Sequence, residues 1–219
     1  MSIGMILLTA VAVLIFFGVS QRVLDRMRLT DRAALIIVAA MFFGTLIPDI
    51  QIGMVQFNIG GAVIPVAVCL YLIIKAETGK EKLRAVVGSV LTAGAVYAMG
   101  LLIPTYPEQT AFDPSYIYGL VGGLAAYLLG RSRRNAFICG VLGVLLADIA
   151  TAVVNWSQGE NQTLVLGGAG AVDIMVISGI LGVLLAELIG EISERIVRGK
   201  NPPEHNRIHA VKEKGEERK

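Results

Sequence analysis

Long apolar stretches alternate with short polar ones along the whole chain, at about 3–19, 33–47, 57–74, 85–103, 115–130, 136–154 and 164–190. Their lengths bracket the roughly 20 residues that a helix rising 1.5 Å per residue needs to cross a hydrocarbon core. The pattern predicts an all-α, polytopic membrane protein with seven transmembrane helices. The stretches 33–47 and 115–130 are short, and a run of that length can also be buried or re-entrant. Parity favours crossing, because removing either one alone would move the later basic connections to the opposite side.

Charge orients the pattern. All 19 Lys and Arg residues fall at 22–32, 75–84, 131–134 and 195–219, whereas 48–56, 105–114 and 156–163 hold acidic residues and no basic ones. Basic loops are retained in the cytoplasm. The expected topology is therefore N-terminus outside and C-terminus inside, in the cell membrane. The first stretch is expected to stay as an N-out anchor, since Gln21-Arg22 follows where a signal peptide would need small residues. Residues 1–194 then form the membrane domain. The tail 195–219 mixes eight basic residues with Glu and Pro202-Pro203, a composition too polar to bury a core, and is expected to be a disordered cytoplasmic tail.

Stretches two and three, four and five, and six and seven form three in-out-in hairpins. Each returning stretch carries a glycine pair, Gly60-Gly61, Gly122-Gly123 and Gly167-Gly168. This hints at a repeat of the kind transporters use, while glycines spaced along a helix also serve close helix packing.

Composition adds what the protein is not built to do. A net charge of +2 without a basic stripe gives no reason to expect nucleic acid as a partner. Anionic membrane lipid is the simpler counter-ion. Cys69 and Cys139 fall within stretches three and six and read as small apolar core thiols. His205 and His209 stand alone in the tail. No metal or cofactor signature is present, nor a nucleotide or hydrolase motif.

Two carboxylates stand out. Asp148 lies twelve residues into stretch six and Asp173 eight residues into stretch seven, which puts both about 18 Å from the cytoplasmic side in a core about 30 Å thick. A carboxylate at that depth is costly unless it is partnered or hydrated, so each is a candidate functional group. Thr151 and Asn155 follow Asp148 at i+3 and i+7 on one helical face. Gly167, Gly168 and Gly170 leave room beside Asp173, and Asn58 precedes the first glycine pair. These six residues are expected to line a polar chamber around the two aspartates. Such a pair can share a proton and hydrolyse a peptide bond of a transmembrane substrate, couple a proton or cation to movement of a small solute, or hydrogen-bond across helices as architecture.

At Asn58-Ile-Gly-Gly-Ala-Val-Ile-Pro65, Ala147-Asp148 and Gly167-Gly-Ala-Gly-Ala-Val-Asp173, followed by Ser178-Gly179, the chain resembles a bacterial and archaeal family of multi-pass membrane proteins catalogued as domain of unknown function 1614. The likeness covers stretches three to seven and implies a membrane protein. A looser likeness, Gly168-Ala-Gly170 before Asp173 with a second Asp in the preceding stretch, is to intramembrane aspartyl proteases of the presenilin and prepilin-peptidase type. That likeness implies catalytic roles for Asp148 and Asp173, although here Ala171 and Val172 separate the glycine from Asp173.

Overall fold

The computed structural model describes residues 30–102, 115–130, 132–170 and 173–200. The expected N-terminal anchor 3–19, the whole connection 105–114 and the tail beyond 200 lie outside the described residues. The chain divides into two compact units, Met1–Ala186 and Glu187–Lys219, and the candidate site residues all belong to the first.

The first described helix, α1 (Asp31–Thr45), starts where the Thr30 hydroxyl accepts from Ala33 N at 3.2 Å. It ends just before Leu46-Ile47-Pro48, because the residue ahead of a proline is pushed out of the α region. Two short strands follow, β1 (Ile50–Ile52) and β2 (Val55–Phe57), then a single π turn (Ile59–Val63) leading into α2 (Ile64–Ile74). Next come three longer helices, α3 (Gly79–Leu102), α4 (Ser115–Gly130) and α5 (Arg133–Ser157). A third strand, β3 (Leu164–Leu166), and a glycine-rich turn precede α6 (Ile174–Lys200), which runs on past Arg195, where the charged tail was expected to begin.

The molecule is mostly helical. By length and composition α3 and α5 can cross a membrane, with mean hydropathies of 1.8 and 2.4, while the other apolar helical stretches are shorter than 18 residues. Against the expectation of an all-α chain, stretches three and seven do not start as helix. β2 and β3 pair in parallel with Gln56 opposite Val165, and β1 pairs antiparallel with β2. The cause is local. Gly167 and Gly170 take φ of +68° and +65°, a left-handed conformation that glycine adopts without a Cβ penalty and that a helix cannot absorb. The three glycine pairs are also unequal, since Gly122-Gly123 sits inside continuous α4 whereas the other two pairs lie at helix starts.

Helices α3, α4 and α5 pack together as the central bundle. Their buried stripes are made of small residues, Ala85, Gly88, Ser89, Thr92 and Val96 on α3 and Ala136, Cys139, Gly140, Gly143 and Ala147 on α5, with Gly88 against Cys139 and Thr92 against Gly143. A Cβ on Gly140 would come within 2.7 Å of Gly179 Cα in α6, so these two backbones touch. The outer faces are apolar as well, with Val86, Val90, Leu91, Leu101 and Leu102 of α3 exposed.

Candidate functional site

Asp148 lies half-buried in the middle of α5, between buried Ala147 and buried Ala152. It faces a cavity of about 570 Å³. Thr151, Asn155 and Gln158 continue along the same face of α5 as the cavity wall. Tyr97 of α3, Tyr118 of α4, and Gln162 and Thr163 in the connection after α5 complete the polar lining. The ten residues from Asp148 to Gln158 make this wall about 15 Å long at the helical rise. Its upper end is held in place: Asn155 Nδ2 donates to Gln162 Oε1 at 2.9 Å, and Trp156 Nε1 donates to the Gln162 carbonyl at 2.7 Å. The Thr151 hydroxyl is turned back onto the Ala147 carbonyl, 2.9 Å away.

Asp173 has a different setting. Its Oδ1 accepts from Met175 N at 3.0 Å and its Oδ2 from Ala169 N at 3.3 Å, while its carbonyl accepts from Ile177 N. That is the geometry of a helix N-cap, here at the start of α6. The second bond ties the cap to the Gly167–Gly170 turn, which is closed by Gly170 N donating to Gly167 O at 2.7 Å. The two carboxyls are within electrostatic reach of each other, although they come from a continuous helix and from a helix start.

Asn58, Gly167, Gly168 and Gly170, expected beside the aspartates, gather at a junction of three chain segments. Asn58 Oδ1 caps the π turn by accepting from Gly61 N at 2.9 Å, and Asn58 N donates to the Leu166 carbonyl of β3. A Cβ on Gly60 would run into the Met41 carbonyl and Thr45 N of α1, and one on Gly61 would run into the Gly167 and Gly170 carbonyls. The two glycine pairs therefore meet backbone to backbone.

Asp49 and Gln56 were not singled out from the sequence, yet they hold this junction from outside. Asp49 Oδ1 accepts from Asn58 Nδ2 at 2.6 Å and Oδ2 accepts from Gln56 Nε2 at 2.8 Å. The Asn58 bond first, and the Gln56 bond second, hold the Asp49 carboxyl below its ordinary value. The available signal was the alternation of Gln56 and Asn58 in an otherwise apolar run directly before Gly60-Gly61.

Buried polar groups also mark α3, α5 and α6. Among the described residues, Thr92 Oγ1, Arg134 Nε, Asn135 Oδ1 and Ser178 Oγ are buried without a hydrogen-bond partner. Arg134, only 6% exposed, pairs with Glu81 at 3.3 Å. Cys69 and Cys139 are buried free thiols. No group of three His, Cys, Asp or Glu side chains suited to a metal occurs among the described residues.

Fold and site together define a class: a mostly helical protein with apolar helices packed through small residues and a carboxylate facing an open cavity with both polar and apolar walls. The profile of one family, described as a protein of unknown function (DUF1614), matches residues 20–185. The chain belongs to that family. No curated protein and no solved structure matches it.

Proposed function

We propose that this protein is a multi-pass protein of the cell membrane that carries a proton or a small cation through the chamber at Asp148. Seven crossings, with the basic connections and the C-terminus in the cytoplasm, are the topology in which all 19 Lys and Arg residues lie on one side. The apolar outer faces of the helices suit lipid contact. The observation that carries the reading is the polar wall itself: Asp148, Thr151, Asn155 and Gln158 share one face of an otherwise apolar helix and bound a cavity. An ionisable group in a membrane helix that faces a cavity is the usual mark of an ion or proton pathway. The two spans that begin with extended backbone and a capped helix start resemble the discontinuous helices of transporters.

The electrostatic influence of Asp173 on Asp148 favours a second reading, hydrolysis by an aspartyl pair. That chemistry needs both carboxyls to address one water and one carbonyl. Both oxygens of Asp173 already accept backbone N–H groups, which leaves Asp148 as the carboxyl facing the cavity. Transport is therefore the better-supported use.

The test is reconstitution of the full chain in liposomes, with flux driven by an imposed potential and followed by a pH dye and by cation uptake. Wild-type protein should conduct and Asp148→Asn should not. Equal flux in both would refute the reading, and cleavage of an added transmembrane peptide by wild type would transfer support to hydrolysis.

A further inference from the structure

The cavity accounts for only one half of a route, the half on the Gln158 side of Asp148. Between Asp148 and the other end of α5, near Arg134, lie thirteen residues, about 20 Å of helix. This part of the α3/α5 interface is closely packed but not apolar.

On α3, Val96 lines the cavity and Thr92 lies one turn below it, fully buried with Oγ1 unpartnered. Thr92 packs against Gly143 of α5, where a Cβ would come within 2.5 Å of Thr92 Cγ2. One turn further down, the Ser89 hydroxyl donates to the Ala85 carbonyl at 2.8 Å, and the Cys139 thiol points to the same carbonyl at 3.7 Å. The next turn brings Asn135, 1% exposed, with Nδ2 donating to the Glu81 carbonyl at 3.4 Å and Oδ1 unpartnered. The seam ends at the Glu81–Arg134 ion pair, where Glu81 is 26% exposed. Polar atoms thus recur about once per turn, roughly 5 Å apart, a gap that one water with two hydrogen bonds of about 2.8 Å spans. A buried polar atom without a protein partner is the usual seat of such a water.

We propose that this seam is the inner half of a proton path, running from Asp148 through Thr92, Ser89 and Asn135 to the Glu81–Arg134 pair. The proposal rests on the transport reading and narrows its substrate to the proton. Hydroxyls and waters each accept one hydrogen bond and donate another, so a proton taken up by the Asp148 carboxylate is passed on as its neighbour releases one; Asn135, an amide with no proton to give up, positions a relaying water through its Oδ1. One proton leaves to water at Glu81 for each that enters. A dehydrated metal cation instead needs several oxygens converging on one point. The seam offers its oxygens singly, one per turn, and they do not converge on one point.

Proton flux is measured in liposomes holding the full chain, for wild type, Thr92→Val, Thr92→Ser and Glu81→Gln. Valine keeps the shape of threonine and removes the hydroxyl, and should lower proton flux about tenfold or more, since one missing hydrogen bond in a buried chain is worth at least that factor. Serine restores the hydroxyl and should restore the flux. Glu81→Gln, at the partly exposed end, should also lower it, and carries the test if the valine variant does not fold. Wild-type proton flux in Thr92→Val and Glu81→Gln, alongside loss in Asp148→Asn, would overturn the seam and leave the transport reading standing. Wild-type flux of sodium or potassium but not protons would also overturn the seam alone. Unchanged flux in Asp148→Asn would instead sink the reading on which the seam rests.

Discussion

Asp148 and Asp173 are the same residue type at the same expected depth, and their surroundings differ in nearly every other respect. Asp148 interrupts the apolar pattern of an unbroken helix and looks into a cavity. Asp173 stands where a helix begins, with one oxygen accepting the first-turn N–H of Met175, which has no intrahelical partner, and the other accepting the Ala169 N–H of the preceding turn. A carboxylate whose acceptors are already engaged is part of the backbone's hydrogen bonding. A carboxylate exposed to a polar chamber is free to exchange. In the proposed topology both carboxylates would be costly, and the local backbone is what distinguishes their settings.

The same contrast extends to the elements that carry them. The bundle of α3, α4 and α5 uses glycine to bring helix surfaces together, whereas the junction of α1, the π turn and the Gly167–Gly170 turn uses glycine to bring backbones together. The largest stability effect is therefore expected at the junction. Gly60→Ala places a methyl group against the Met41 carbonyl and Thr45 N, neither of which is a flexible tip, and should cost about 3 kcal/mol or more. Gly94→Ala, in α3 with open space around it, should stay within about 1 kcal/mol of wild type. Thermal denaturation of the two purified variants in one detergent reads this directly, and similar Tm values would remove the distinction.

A smaller effect should separate the aspartates. Asp173→Ala loses the cap and the tie to Ala169 and should destabilise by about 1–2 kcal/mol, while Asp173→Asn keeps a good N-cap and should be nearly neutral. Asp148→Asn should not lower the Tm, because it replaces a group that can be charged in a partly buried place with a neutral one of the same shape. A larger Tm loss for Asp148→Asn than for Asp173→Ala would reverse the assignment.

The regions should also differ in access to water. A cysteine at Thr151, which is exposed in the cavity wall, should react readily with a small hydrophilic thiol reagent. Native Cys69 and Cys139, both 0% exposed, should not. Equal labelling would mean that the cavity is no more hydrated than the core.

The smallest effect is expected at Asp49. Its carboxyl is held below its ordinary value by Asn58 and Gln56, so the fold favours the ionised form. That contribution is complete above the ordinary carboxylate range and is lost as the pH falls through the lowered value. A Tm profile against pH for wild type and Asp49→Asn should show the two converging in acid and wild type slightly ahead near neutrality. Parallel profiles would show that Asp49 does not brace the junction.

Much of this was legible in the chain. The apolar runs mark α1, α3, α4 and α5 to within a few residues at most ends, because a continuous apolar run is a local signal. The i+3 and i+7 spacing that puts Thr151 and Asn155 on the Asp148 face is also local, and both residues line the cavity with it. Stretches three and seven were harder to read. An apolar run such as Leu164-Val-Leu166 suits strand or helix equally, and what decides is pairing with Val55-Gln-Phe57 more than a hundred residues earlier. The glycine pairs were visible, but not that two of them meet. The Glu81–Arg134 and Asp49–Asn58 contacts are likewise tertiary, and neither has a spacing that a sequence pattern could reveal.

The central claim is that Asp148 exchanges and Asp173 holds. It is tested most directly by measuring flux through liposomes carrying Asp148→Asn or Asp173→Asn side by side, at equal amounts of folded protein. The account predicts that Asp148→Asn abolishes flux while Asp173→Asn keeps it within a few-fold of wild type, because asparagine still accepts at the helix start. Equal and complete loss in both variants would contradict it, and would mean that the two carboxyls act as one chemical unit.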